Sequence, residues 1–192
     1  PAVLRLDGDW EIRLEGMVEL EFIEGAGTVP VVDASSAESV RLVSSSSEVA
    51  EFINHGTMLL HDFEVAPSVV LANVGGESGT NLDQGRLALS GVSLIGGDFY
   101  NLDHGQLFVD GEVTISGQAV TDFSSVVHVG ASVSVLDASS YAGTTSQPSS
   151  LVAPSQSASL TFAQDVQLQG ELIIYDLVGN ASASLSVGVG SV

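Results

Sequence analysis

The sequence predicts an all-β fold, a right-handed parallel β-helix, on three observations. A block from Asn81 to Gly91 returns twenty residues later from Asn101 to Gly111. An apolar-x-apolar-x-Gly-x-apolar pattern occurs four times along the chain. No segment with helical periodicity separates the two related blocks. Short strands that repeat at this offset stack directly on one another, as in a β-solenoid.

The apolar positions of the repeated block predict the register of the stack. With about 20 to 25 residues per coil, the chain makes roughly eight coils spaced about 4.8 Å apart. A β-sandwich or jelly roll is the alternative, because short alternating strands alone do not establish parallel pairing. The residues predicted to lie directly beneath Leu102, Leu107, Val109 and Ile115 are Leu82, Leu87, Leu89 and Ile95.

The predicted corners between strands consist of one asparagine and several glycines. Glycine adopts backbone angles that are forbidden to other residues, and at Gly111 this would turn the chain between two strands. Asparagine and aspartate tolerate left-handed angles and bond their own backbone two residues on. The predicted structural turn residues are Asn54, Gly56, Gly85, Gly91, Gly105 and Gly111.

We expect residues 1–192 to form a single β-solenoid domain. Residues 1–51 follow the repeat poorly and are predicted to be irregular coils or a cap, and a short helix from Glu48 to Ile53 is one possibility there. Trp10 is expected to cap the open end of the core, with a sugar-stacking platform as the alternative. The other predicted parts are regular coils over 52–137, a Ser- and Pro-rich loop over 138–158 and C-terminal strands over 159–192.

The charge of the chain excludes some partners. The chain contains twenty-four acidic residues, four arginines and no lysine, which gives a formal charge of −20. Nucleic acids and anionic membrane surfaces require the opposite sign. No apolar run approaches the roughly 18 residues of a membrane span, so membrane insertion is not expected. The chain has no cysteine, so it forms no disulfide.

Few residues have the spacing of a chemical site. In the predicted register Asp83 lies over Asp103, and each carboxylate is expected to cap its own turn, with calcium binding between them as the alternative. No other cofactor is expected. The four histidines lack zinc-site spacing, and no Gly-x-Ser-x-Gly motif is present. We therefore assign no catalytic residue and expect a protein that is not an enzyme.

The coil sequences resemble a known group of surface proteins. Asn54 to Leu60, Leu102 to Ile115 and Val127 to Val135 are similar to the coils of filamentous-haemagglutinin-like and autotransporter-passenger-like proteins. The similarity covers about half of the chain, from Phe52 to Leu136. It implies a right-handed parallel β-helix that is secreted or at the cell surface and serves adhesion or an extracellular assembly.

The expected function is therefore structural. We expect a subunit of a filament, sheath or surface layer, or an adhesin segment, that self-associates through strand edges or solenoid ends. The alternative is a β-helix that binds or degrades a polysaccharide, similar to a lyase or a tailspike, with carbohydrate as its partner. The four arginines available to recognise an acidic sugar are Arg5, Arg13, Arg41 and Arg86.

Overall fold

All regular structure in the described part of the chain is β-strand. The computed structural model describes residues 3–6, 8–20, 31–75, 85–122, 125–143, 149–153, 158–164, 166–170, 172–176 and 184–187. The 23 strands form three sheets, which we call A, B and C.

Sheet A contains β1 (Val3–Arg5), β4 (Val31–Ala34), β7 (Thr57–His61), β10 (Arg86–Ser90), β13 (Gln106–Val109), β16 (Val126–Val129), β19 (Ser149–Ala153) and β22 (Leu172–Asp176). Sheet B contains β2 (Gly8–Leu14), β5 (Ala37–Ser44), β8 (Phe63–Val65), β11 (Val92–Ile95), β14 (Glu112–Ile115), β17 (Ser132–Val135), β20 (Ser159–Phe162) and β23 (Ser184–Val187). Sheet C contains β3 (Met17–Leu20), β6 (Ala50–Asn54), β9 (Val69–Val74), β12 (Phe99–Leu102), β15 (Ala119–Thr121), β18 (Ser139–Gly143) and β21 (Val166–Gly170).

The topology is that of a parallel β-helix. Each strand pairs in parallel with the strand three positions further along the chain, so one coil contributes one strand to each sheet. The predicted fold class is therefore confirmed. The alternative of a sandwich or jelly roll is wrong, because such folds are built from antiparallel pairs.

The predicted register is also confirmed where the structure describes it. Leu87 pairs with Leu107 and Ile95 pairs with Ile115, and all four side chains are buried. Leu82 lies outside the described residues. The coils of the middle of the chain are twenty residues long, as the pairing of Arg86 with Gln106 and of Gln106 with Val126 shows.

The first three coils are longer than the predicted 20 to 25 residues. The paired positions Val3, Val31, Thr57 and Arg86 are separated by 28, 26 and 29 residues. The pairing itself stays regular in sheet A, so the extra residues fall between strands. The described residues of the first 51 thus form two coils in register with the rest, with one register shift between Gly8 and Asp9.

Two other sequence predictions are corrected by the strands. The Ser- and Pro-rich segment 138–158 is not a loop throughout, because it contains β18 and β19, each paired on both sides. The segment from Glu48 to Ile53 is not helical. Ala50, Phe52 and Asn54 point inward on β6 while the residues between them are less buried, which is the alternation of a strand.

A column of buried asparagines lines the inner corner between sheets C and A. Asn54, Asn73 and Asn101 are fully buried and occupy paired positions in three successive coils. Asn54 Nδ2 donates to Asn73 Oδ1 at 2.8 Å, and Asn73 Nδ2 donates to Asn101 Oδ1 at 2.8 Å. Buried amides are tolerated only when they are hydrogen-bonded, and Asn73 supplies such a bond to both Asn54 and Asn101.

The asparagine column also binds the backbone of the corner. Asn73 Nδ2 lies 3.1 Å from the Gly85 carbonyl oxygen and 3.2 Å from that of Gln106. Asn101 Nδ2 donates to the Val126 carbonyl at 3.2 Å. The column therefore links the turn of each coil to the first strand of the next coil.

The glycines of the corner between sheets A and B serve two different purposes. Gly91 has a φ of 71°, the left-handed region that favours glycine. Gly111 is not at a positive φ, so the expectation of left-handed angles there is wrong. A Cβ on Gly111 would overlap the backbone of Gly91 in the coil below, so this position requires glycine because the coils approach closely.

We expect Asn73→Ala to lower the free energy of unfolding by about 2 to 4 kcal/mol, because it removes one hydrogen bond from the buried amide of Asn54 and one from that of Asn101. Ser140→Ala, at a less buried position on the same sheet, is the matched control and should change stability by about 0.5 kcal/mol or less. Urea denaturation measures both. Equal effects of the two variants would contradict the role of the column.

Candidate functional site

The predicted turn residues lie at two corners of the solenoid. Asn54, Gly56, Gly85 and Gly105 lie between sheets C and A, whereas Gly91 and Gly111 lie between sheets A and B. Asn54 Oδ1 accepts a hydrogen bond from the Gly56 amide at 3.0 Å. This is the local bond that asparagine makes in turns.

The predicted pair of carboxylates can be examined at one member only. Asp83 lies outside the described residues. Asp103 is exposed and has a φ of 46°, and the following His104 has a φ of 70°. The Asp103 backbone amide donates to Asp122 Oδ1 at 3.2 Å. The carboxylate that the structure places beside Asp103 is thus Asp122, one coil further along.

Burial raises the pKa of the Asp122 carboxyl, and the nearby Asp103 charge raises it further, while the hydrogen bond from the Asp103 amide opposes the shift. Within the described ranges, no three His, Asp or Glu side chains are grouped as a metal site would require. Calcium binding at Asp83 and Asp103 stays a prediction.

A histidine, a serine and an aspartate meet at the corner between sheets A and B. His61 Nδ1 lies 3.1 Å from Ser90 Oγ, and its Nε2 lies 3.6 Å from Asp62 Oδ2. Ser90 Oγ also lies 3.2 Å from the Leu60 carbonyl oxygen, and Asp62 Oδ1 accepts the Val92 amide. A serine nucleophile needs its proton directed at a base, and here the Leu60 carbonyl competes with His61 for that proton. The contacts of this group link β7 to the neighbouring coil at the corner.

A stack of three side chains lies on the outer face of sheet A. The rings of Phe108 and His128 are stacked with centroids 4.2 Å apart and planes 4° from parallel. The Arg86 guanidinium carbon lies 4.5 Å from the centroid of Phe108. Burial lowers the pKa of His128, and the charge of Arg86 lowers it further. We call these three residues the Arg86 stack.

Sequence reasoning missed the Arg86 stack. The signal was present, because Ala88, Phe108 and His128 follow one another at twenty-residue intervals in the repeated block. Alternation places them on the outward side of β10, β13 and β16, in paired positions. Attention to the outward positions of the repeat, as well as to the inward ones, would have found the two rings.

The first described coil exposes apolar side chains that its register places on the core side. Leu4, Trp10 and Val18 pair with Val32, Val40 and Phe52 of the next coil. Those partners are at most 9% exposed, whereas Leu4, Trp10 and Val18 are 57%, 43% and 36% exposed. Trp10 therefore lies at the open end of the core, where the sequence analysis expected it. We call Leu4, Trp10 and Val18 the apolar end.

Comparison with protein-family models, curated proteins and solved structures finds no match to this chain. No helix in the described residues is long and apolar enough to cross a membrane. The function of the protein is therefore inferred from the surfaces of the solenoid.

We expect Arg86→Gln to raise the pKa of His128, because the variant removes the nearby positive charge that disfavours the imidazolium. The pKa should stay below its ordinary value, since the burial that is its larger cause remains. An NMR titration of the His128 ring measures the shift. Arg13→Gln, which removes a charge on the first coil, is the control; an equal shift in both variants would contradict the contact.

We expect Asp122→Asn to stabilise the protein at neutral pH by about 0.5 kcal/mol, the scale of part-exposed charge pairs. The pKa of Asp122 in the folded state is raised above 3.8, so ionisation of this carboxyl opposes folding. The protonated carboxyl therefore favours the folded state, and this contribution to the free energy of unfolding is lost as pH rises through the folded-state pKa. The stability gain of Asp122→Asn should vanish below about pH 3, where Asp122 is protonated in both the folded and the unfolded protein.

Thermal unfolding at several pH values tests this prediction. Asp98→Asn is the matched control, because Asp98 Oδ1 also accepts a backbone amide bond, from Gln118 at 2.9 Å. This control should not gain stability. A pH-independent effect of Asp122→Asn would contradict the proposed cause.

Proposed function

We propose that this chain is a non-enzymatic structural protein of the cell exterior that assembles through the ends of its solenoid. The observation that carries the proposal is the apolar end, which exposes side chains whose paired residues in the next coil are buried. A filament, sheath or surface-layer subunit needs such a contact, and so does an adhesin segment within a longer array.

The apolar end is built to be covered by another layer of β-structure. Leu4, Trp10 and Val18 come from sheets A, B and C respectively, so they surround the open core. Covering them would remove large apolar side chains from water, at about 25 cal/mol per Å² buried. The backbone offers a second source of contact, because β1, β2 and β3 are each paired on one side only among the described strands.

The charges of β2 favour a second copy of the chain as the partner. Arg13 and Glu11 point to the same side of the strand, two residues apart, and their side chains are 2.8 Å apart. If two β2 strands paired antiparallel about Ile12, Glu11 would face Arg13 of the other copy, and Trp10 would face Leu14. Opposite charges and apolar pairs at facing positions stabilise a sheet. Such a twofold contact is isologous.

The C-terminal end of the described solenoid also has strand edges that can pair with another chain. Sheets A and B finish at β22 and β23, each paired on one side only within the described part. Contacts at both ends would extend the assembly beyond a dimer. A charge of −20 per chain makes copies repel one another, so added salt should promote association by screening this repulsion.

A location outside the cell is also part of the proposal. It is supported by the absence of cysteine and lysine, by the acidic composition and by the resemblance to filamentous-haemagglutinin-like and autotransporter-passenger-like proteins. Self-assembly and adhesion are functions that need no catalytic group.

We expect the purified chain to self-associate and Trp10→Gln to weaken that association at least tenfold in Kd, because the variant places a polar amide at the apolar end. Sedimentation velocity over a range of protein and salt concentrations measures this. Leu136→Gln is the matched control, since Leu136 is 48% exposed but lies on the side of the solenoid. A monomer under every condition, or equal weakening by both variants, would contradict the proposal.

A further inference from the structure

Arg86 differs from the other three arginines of the chain. Arg5, Arg13 and Arg41 lie 3.9, 2.8 and 3.1 Å from the carboxylates of Asp33, Glu11 and Glu64. Arg86 has no such ion pair among the described residues, although the chain contains twenty-four acidic residues. Its guanidinium lies over the Phe108 ring instead. This leaves one arginine whose charge no described carboxylate neutralises.

The described strands around Arg86 carry no acidic residue. The strands β7, β10, β13 and β16 contain no aspartate or glutamate. The positions paired with Arg86 in the neighbouring coils are Thr57 and Gln106, which are polar and uncharged. In this described part of sheet A, Arg86 therefore offers an anion a positive charge, and the four strands carry no negative charge beside it.

The Arg86 stack holds the guanidinium in an orientation that can bind a carboxylate. Phe108 is fixed between Arg86 and His128 by the parallel contact at 4.2 Å, so the guanidinium lies over a ring that is itself packed. A stacked guanidinium keeps its N–H groups at the edge of the plane, where they match the two oxygens of a carboxylate. Because one side chain is already ordered, less conformational entropy is lost when a ligand binds.

We propose that the Arg86 stack binds the carboxylate of an acidic oligosaccharide, such as one that contains glucuronate. The column from Thr57 through Arg86 to Gln106 presents a hydroxyl, a guanidinium and an amide at steps of about 4.8 Å, so a sugar lying along the solenoid meets polar groups beside the charge. A peptide that binds by adding a strand would need a free strand edge. The strand β10 is paired on both sides, with β7 and β13.

This site is separate from the apolar end and does not rest on the proposed assembly. It gives the outer face of sheet A a recognition role that a structural or adhesive protein can use. The site lies on the outer face of the solenoid, so binding through one guanidinium should be weak, with a Kd of about 1 mM.

The test is an NMR titration of the full chain with a glucuronate-containing tetrasaccharide at physiological salt, following the Arg86 side chain and the His128 ring. We expect saturable shifts at both residues, at least a tenfold loss of affinity in Arg86→Gln and a several-fold loss in Arg86→Lys, which keeps the charge without the planar fork. Arg41→Gln, which removes an arginine paired with Glu64 on sheet B and leaves the stack intact, is the control and should bind as the unmodified chain does.

Two further ligands give the test its specificity. A neutral tetrasaccharide of the same length and a peptide of six glutamates should each bind at least tenfold more weakly. Equal binding of the neutral sugar would overturn the role of the carboxylate, and tighter binding of the peptide would overturn the assignment to sugars. An unchanged affinity in Arg86→Gln, or no saturable binding by any of the three ligands, would also overturn the proposal.

Discussion

The structure depends on the vertical register of its coils, and the buried asparagine column is where that register is most tightly determined. Apolar side chains tolerate small displacements, because dispersion and the hydrophobic effect have little directionality. The hydrogen bonds between Asn54, Asn73 and Asn101 do not tolerate such displacements, because a donor and an acceptor must lie about 3 Å apart. A strand slipped by one residue would bury no partner for these amides and would turn its apolar side chains to solvent.

The asparagine column is limited to three coils. In the coil before Asn54 the paired position is occupied by Leu20, and in the two coils after Asn101 it is occupied by Thr121 and then Tyr141. The amide is thus replaced by leucine on one side and by threonine and then tyrosine on the other. Asn54 and Asn73 lie in the coils of 26 and 29 residues, and Asn101 lies in the first coil of twenty residues. The column therefore keeps the register of the strands where the coil length changes.

The sequence predicted the middle coils well and the flanking coils poorly, for a physical reason. A repeat is visible when both the strands and the corners keep their length, as between Leu87 and Leu107. In the first coils the strands keep their pairing, but corners of variable length hide the period. In β18 and β19, serine occupies positions that a search for apolar alternation passes over, and at β6 the serines before it suggested a helix start. Pairing with neighbouring coils overrode these local signals.

The candidate surfaces were harder to predict than the fold, because they depend on outward positions. Phe108 and His128 stack only because their coils are in register, and Trp10 is exposed only because no described coil covers it. We propose that the two surfaces have different roles: association between copies at the apolar end, and recognition of an anion on the outer face of sheet A. The formal charge of −20 opposes the approach of anions and of other copies to the remaining surface.

The most direct test of the central claim, that copies meet at the apolar end, is intermolecular energy transfer between single-cysteine variants. The chain has no native cysteine, so Glu15→Cys in the first coil and Ser134→Cys on β17 can each be labelled at one site, with donor on one copy and acceptor on another. Association through the apolar end predicts strong transfer for position 15 and much weaker transfer for position 134. Equal transfer at the two positions, or stronger transfer at position 134, would contradict it.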